Sequence, residues 1–366
     1  MWHVTSSKLF RSLVLATAAV GLSLAVPAAA QAHGGHGSHG THHSGPVVMT
    51  RNLYLGADLT PAILATTPQE FAVATTTIWG TAQFTNFPAR AQALADEIGS
   101  NRPDLIGLQE VTNWVTVGPG APAGIDFLAI LQSDLAARGL KYDVAAVSDN
   151  ANIGPAPIIC DYTTGALCTW GVILQDRDVI LVKHTHSLHW SNPQHGNYAT
   201  QQYFQPPVPG AAPISFNRGW ASINVCLNGR HFTFVDTHLE TEASPQVQEA
   251  QAAEFLAGPG KPTGNVIVTG DFNSAADGST TTTYASLTSE YRDAWLVNKN
   301  DPGLSCCENE TLTNYPATLT SRIDLVLMHG WVRSKAAKLV GNVPFEMTPP
   351  LWASDHAGVV ARLRLG

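Results

Sequence analysis

The chain of 366 residues is 44% apolar and 8% aromatic, which excludes a disordered or collagen-like polymer and leaves enough apolar side chain to bury a core. Charged residues make up only 13%, about half the usual share, and the excess is acidic. A formal charge of −8 argues against stable wrapping of long nucleic acid along a basic stripe, but not against a small phosphate ester held through a metal.

Lys8 and Arg11 precede an apolar run from Leu13 to Val26, followed by small-x-small sites around Ala28, Ala30 and Ala32. Residues 1–32 therefore read as a cleavable secretory signal peptide, with an uncleaved anchor as the competing reading, and the protein is expected to be secreted and extracellular. Cleavage removes two positive charges and takes the net charge from −8 to −10. No later run is long and apolar enough for a transmembrane helix. His33, His36, His39, His42 and His43 follow in a Gly/Ser background, so residues 33–45 read as a flexible tether that could also capture metal.

Residues 46–366 then alternate strands and helices. Strands are predicted at Val47 to Leu53, Leu105 to Gln109, Tyr142 to Val147, Gly171 to Leu174, Val179 to Val182, Ala221 to Leu227, His231 to Asp236, Asn265 to Thr269, Ile323 to Met328 and Ala357 to Leu363. Helical periodicity predicts helices over Pro88 to Gly99, Ile125 to Ala137 and Pro245 to Leu256, the last with Ser244 as N-cap. Asn228-Gly229 marks a hairpin, so several connections are too short for a helix and a purely parallel sheet is disfavoured. Mixed sheets in one large domain with helices outside fit this pattern.

The stretch from Asp149 to Phe216 reads as a long irregular segment interrupted by one strand pair, with His184, His186, His189 and His195 as surface residues. Its aromatics Trp190, Tyr198, Tyr203, Phe204 and Phe216 suit either a substrate lip or a stabilising loop folded back on the body. Five cysteines suggest two bridges and one leftover thiol. Cys160 and Cys168 enclose a short loop suited to a staple, whereas a bridge from Cys306 or Cys307 to another cysteine such as Cys226 is favoured over one between adjacent residues.

Polar and ionisable residues stand directly against hydrophobic runs at six strand ends: Asn52, Glu110, His238, Asp271 with Asn273, Asp324, and Asp355 with His356. Burying charge there is costly unless it is paired or bound to metal. Gly270-Asp271-Phe272-Asn273 and Ser354-Asp355-His356, with Leu108-Gln109-Glu110 and Thr237-His238-Leu239, resemble the motifs of the endonuclease/exonuclease/phosphatase superfamily. That superfamily includes pancreatic-type deoxyribonucleases, abasic-site endonucleases, bacterial neutral sphingomyelinases and inositol-phosphate phosphatases, and the match extends in order from Asn52 to His356. The resemblance, to a secreted bacterial-type member, implies a four-layer α/β sandwich: two mixed β-sheets packed face to face with helices outside and the active site at one end.

It also implies roles. Glu110, Asn52 and Asp355 offer hard oxygen ligands for Mg²⁺, with Mn²⁺ or Ca²⁺ as variants. His356 is expected to be the general base on water, oriented by Asp324, while Asp271 and Asn273 orient the water and the phosphoryl oxygen. His238 would donate on the other side of the phosphate, paired with Asp176, for which Asp178 competes.

The expected activity is metal-dependent phosphodiester hydrolysis, with nucleic acid and phospholipid both open as substrate. For lipid cleavage, Trp190, Tyr203, Phe204 or Trp352 would enter the membrane interface. The alternative is a catalytically silent secreted binding module that captures metal through its His-rich tract. The sequence leaves the oligomeric state open.

Overall fold

Apolar residues on both faces of the same strands decide the architecture. In the computed structural model, which describes residues 45–366, Val48, Leu105, Ile180, Ile267 and Val326 point into one shared core. Their neighbours Met49, Ile106 and Leu181 point into a second core, and Val268 and Leu327 into a third. A strand buried on both faces needs a layer on each side, so two sheets stack with helices outside them.

In chain order the elements are β1 (Val47–Asn52), α1 (Thr60–Ile63), α2 (Pro68–Phe84), α3 (Phe87–Asn101), β2 (Leu105–Gln109), β3 (Asn113–Val117), β4 (Ile125–Asp126), α4 (Phe127–Ala137), β5 (Tyr142–Asp161), β6 (Ala166–Lys183), β7 (Leu188–Asn197), β8 (Gln202–Phe204) and β9 (Ile214–Phe216). They continue with β10 (Gly219–Leu227), β11 (Arg230–His238), α5 (Pro245–Ala257), β12 (Val266–Asp271), α6 (Thr283–Glu290), β13 (Arg292–Asp293), β14 (Asp324–His329), β15 (Val332–Val340), β16 (Glu346–Met347), β17 (Pro350–Leu351) and β18 (Gly358–Leu365). One sheet runs β15-β18-β1-β2-β6-β3-β4, with β5 also on β6; the other runs β13-β14-β12-β11-β10-β7. Helices α2, α3 and α4 contribute to the core outside the first sheet, and α5 and α6 to the one outside the second. This is the expected mixed α/β sandwich of two sheets. The expected signal peptide and nearly all of the tether lie outside the described residues.

Several expectations are corrected. Asp149 to Phe216 is largely strand, because β5 and β6 form one long hairpin and β7 follows. Helix α2 takes a stretch without an assigned element, opened by a capping box between Thr67 and Glu70. Ser244 does not cap α5 with its side chain and instead donates to Gln202 at 3.3 Å. Cys160 pairs with Cys168 as expected, but Cys306 pairs with Cys307 and leaves Cys226 free. The reason is topological: Cys226 lies at the β10–β11 turn end, opposite His231, whereas Cys306 bridges His356 near the other end of the sandwich. Trp352 is 1% exposed and so is not available to a membrane, whereas Trp190 is half-buried on the inter-sheet core and Tyr203 is 64% exposed.

Hairpin β5–β6 continues past the end of β2 for a simple reason. The Val179–Val182 part of β6 pairs with β2, and the Gly171–Gln175 part pairs with β3 beyond it. Asp176 and Asp178 fall at this changeover, just past the end of β2 where Glu110 turns away.

Candidate active site

Register brings the expected residues together. In the second sheet His238 lies beside Asp271 across the parallel β11–β12 pair, and Asp271 lies beside Asp324 across the antiparallel β12–β14 pair. In the first sheet Asn52 ends β1 level with Gln109, Glu110 follows, and Asp355 and His356 precede β18, the other neighbour of β1. Glu110 and Asn273 both adopt left-handed backbone, with φ of 55° and 50°, an uncommon conformation for side-chain-bearing residues and one often found at functional sites.

His356 and Asp324 form a buried pair, with Nδ1 2.9 Å from Oδ2. The remaining ring nitrogen, Nε2, lies 3.7 Å from Asp271 Oδ2 and 3.9 Å from Cys307 Sγ. Arg51, itself held by Glu97 at 3.0 Å, donates to the His356 carbonyl and fixes the backbone behind the ring. Burial by itself lowers the His356 pKa, but the carboxylates of Asp324, Asp271 and Asp355 overcome it and hold the imidazole well above its usual range.

Asp271 sits at the centre. Its Oδ2 accepts from Asn52 Nδ2 at 3.0 Å and lies 3.5 Å from His238 Nε2, while Oδ1 accepts from the Asn273 backbone at 3.0 Å. Burial pushes its pKa up to about 7 against the opposing pull of His356, with Asp324 adding to the rise. Asp355 is likewise raised to about 6, first by burial and then by Glu110, and Glu110 is raised by burial and by Asp176. Buried carboxylates of this number are short of positive charge, and hard oxygen donors in such surroundings fit a divalent cation.

The Asn52 amide links the two sheets' carboxylates. Its oxygen accepts from the Tyr54 backbone at 2.8 Å, so the NH₂ group faces Glu110 at 3.1 Å and Asp271. In this arrangement the Asn52 amide group spaces the two carboxylates. Glu110 Oε2 in turn accepts from the Leu55 backbone at 2.7 Å.

The expected partnership of His238 with Asp176 is not made as a hydrogen bond. Ligand atoms of Asp176, Asp178 and His238 gather within 4.8 Å of one another, but the guanidinium of Arg218 is the partner of the ring. Arg218 also donates to Glu240 at 3.3 Å. Asn273 Nδ2 lies 3.2 Å from His238 Nε2 and donates to the Leu239 carbonyl at 3.0 Å. His238 is held well below its ordinary pKa by burial, by Arg218 and by His356, which favours the neutral ring with one N–H and one lone pair. Asp176 accepts from Asn150 at 3.3 Å, whereas neither oxygen of Asp178 has a partner among the described residues; burial, Asp176 and Asp236 push Asp178 well up.

Sequence reasoning missed Arg218, Glu240, Asn150 and the α5 glutamines. Gln248 donates 2.7 Å bonds to the carbonyls of Glu240 and Asn273, and Gln251 accepts from the Glu240 backbone at 2.8 Å, so α5 fixes both loops. Arg218 directly precedes β10 and obeys the same strand-end rule as the others, but the predicted strand began at Ala221.

A two-sheet sandwich with a buried His–Asp pair and clustered carboxylates at one end defines a metal-dependent phosphoric ester hydrolase. The chain belongs to the Endonuclease/Exonuclease/phosphatase family, whose model matches residues 78–356. Among solved structures it is similar to an endonuclease/exonuclease/phosphatase family protein from Leptotrichia buccalis, at 14% identity and TM-score 0.54, covering 88% of this chain and 100% of the other. It is also similar to D. rerio TDP2 complexed with single strand DNA product, at 14% identity and TM-score 0.53, covering 87% and 98%. A third is the endonuclease/exonuclease/phosphatase from Beutenbergia cavernae, at 19% identity and TM-score 0.51, covering 88% and 72%. No curated protein sequence matches the chain significantly.

Proposed function

We propose that the protein is a secreted phosphodiester hydrolase in which the neutral form of His356 takes a proton from the attacking water. The observation that carries this reading is the 2.9 Å bond between His356 Nδ1 and Asp324, which leaves Nε2 facing Asp271 at the centre of the site. Asp324 fixes the tautomer and stabilises the imidazolium that forms. Asp271 and Asn273 place the water and the phosphoryl oxygen, and neutral His238, held by Arg218, donates a hydrogen bond on the opposite side. Glu110 and Asp355 would hold a divalent cation, Mg²⁺ first, which supplies positive charge to the phosphate oxygens. Secretion is supported by Lys8, Arg11 and the apolar run that follows them.

The test is hydrolysis of bis(p-nitrophenyl) phosphate by the purified chain with Mg²⁺, Mn²⁺ or Ca²⁺, against chelator. Turnover that needs a divalent cation and falls in His356→Ala is expected. No turnover with any of the three cations, or undiminished turnover in the variant, would sink the mechanism.

A further inference from the structure

A cleft of about 1220 Å³ opens beside this site, between the outer half of the β5–β6 hairpin, the start of α2 and residues 206–217. One end is polar and adjoins Asp176 and Arg218, the neighbours of His238. Asn150 in its wall donates to Asp176, and Asn217 immediately precedes Arg218, the partner of His238. Away from that end the wall becomes apolar, through Ile153, Pro155, Leu167, Trp170, Val208 and Ile214. Phe71, Ile153, Ala156 and Ile214 also border a second cavity of about 60 Å³, lined almost wholly by apolar side chains.

We propose that this cleft binds an alkyl or acyl chain on the substrate, so that the enzyme cleaves amphipathic phosphodiesters with the phosphate at His356 and the chain lying along β5–β6. This rests on the phosphodiesterase reading of the site. Among the described residues no lysine or arginine lines the cleft, and its charged side chain is Asp149. A nucleic-acid strand laid there would meet no cation for its phosphates, whereas an apolar chain would be removed from water along its length. The volume exceeds the roughly 300–1,000 Å³ of ordinary small-molecule pockets and leaves room for a long chain.

The experiment uses methyl, butyl and octyl esters of 4-nitrophenyl phosphate below their micelle concentrations, with Mg²⁺. Expected is a rise in kcat/KM of up to about fourfold per methylene until the cleft fills, the equivalent of ~0.8 kcal/mol each. Ile153→Asp and, separately, Val208→Asp should flatten the series while turnover of the methyl ester stays within about twofold, which also reports that each variant is folded. A flat series in the unsubstituted chain, or a thymidine 4-nitrophenyl phosphodiester that outruns the octyl ester, overturns the proposal. Should the methyl ester not turn over at all, the phosphodiesterase reading fails instead. Calorimetry with octyl phosphate then decides the cleft alone: binding lost in Ile153→Asp supports it, and no binding overturns it.

Discussion

Arg218 Nη1 lies 3.2 Å from both ring nitrogens of His238, so a cation accompanies the second histidine of the site alongside the carboxylate of Asp271 at 3.5 Å. The same guanidinium answers Glu240 and is raised by Asp176 and Glu110 against the effect of its own burial. Arg218 is thus a positioning residue that also offsets acid. Arg218→Met is expected to lower kcat on the order of 10²-fold and to lower Tm, since removing one partner of a buried pair costs about 3–5 kcal/mol. Arg218→Met with Glu240→Gln should recover much of the Tm but not kcat. NMR titration of His238 should move toward the ordinary imidazole range in both. Full activity in the double variant would remove Arg218 from the site's chemistry.

For the His356–Asp324 pair the expectation concerns kcat more than KM. His356→Ala should cost roughly 10²–10⁴ in kcat, the span of general acid–base catalysis. Asp324→Asn should cost a similar amount by presenting the wrong tautomer while preserving shape. Steady-state kinetics on bis(p-nitrophenyl) phosphate checks both, and a loss confined to KM would contradict the assignment.

The raised carboxylates fix the sign of a pH effect. Asp271 at about 7 and Asp355 at about 6 both exceed their unfolded values, so between about pH 4 and pH 7 the folded chain holds protons that the unfolded chain has released. Their contribution to stability is complete below that window and is lost as pH rises through the folded values. A divalent cation replaces those protons. The gain in Tm on adding Mg²⁺ to chelated protein should therefore grow from pH 5 to pH 8 and shrink in Asp355→Asn. A gain independent of pH would show that the cation binds elsewhere.

Gly107 separates the two sheets beneath the site. A Cβ there would stand 1.9 Å from Asp236 Oδ1 and 2.2 Å from Thr269 Oγ1, where Asp236 also accepts from Gln109 at 2.7 Å. Gly107→Ala should cost about 1–3 kcal/mol or more by overpacking. Gly80→Ala, within α2 and facing open space, should instead stabilise by about 1 kcal/mol. Urea denaturation of both variants tests the contrast, and equal effects would refute it.

Asn52, Glu110, His238, Asp271, Asn273, Asp324, Asp355 and His356 were legible as strand-end residues because a polar group against a hydrophobic run needs a partner, and the fold supplies one. Helix α2 was not, because Thr75, Thr76 and Thr77 lower helical propensity and the packing of Phe71, Ile78 and Trp79 overrides them. The outer half of β5 was hidden by Gly154, Pro155 and Pro157. Irregular pairing accommodates them, with register shifts between Ile153 and Ala156 and between Pro157 and Ile159. The orientation of the Asn52 amide could not be read from its type, since either its oxygen or its NH₂ could face Glu110 and Asp271, and the Tyr54 backbone decides which.

One oxygen, Asp271 Oδ2, stands 3.0 Å from Asn52, 3.5 Å from His238 and 3.7 Å from His356. Asp271 and His356 shift one another, with Asp324 bonded to His356 and His238 alongside, so the inflections of a rate-against-pH curve belong to the group and not to any one member. Replacing His238 would displace the limb that a simple scheme assigns to His356, and the enzyme's acidity is in this sense a property of a place in the fold.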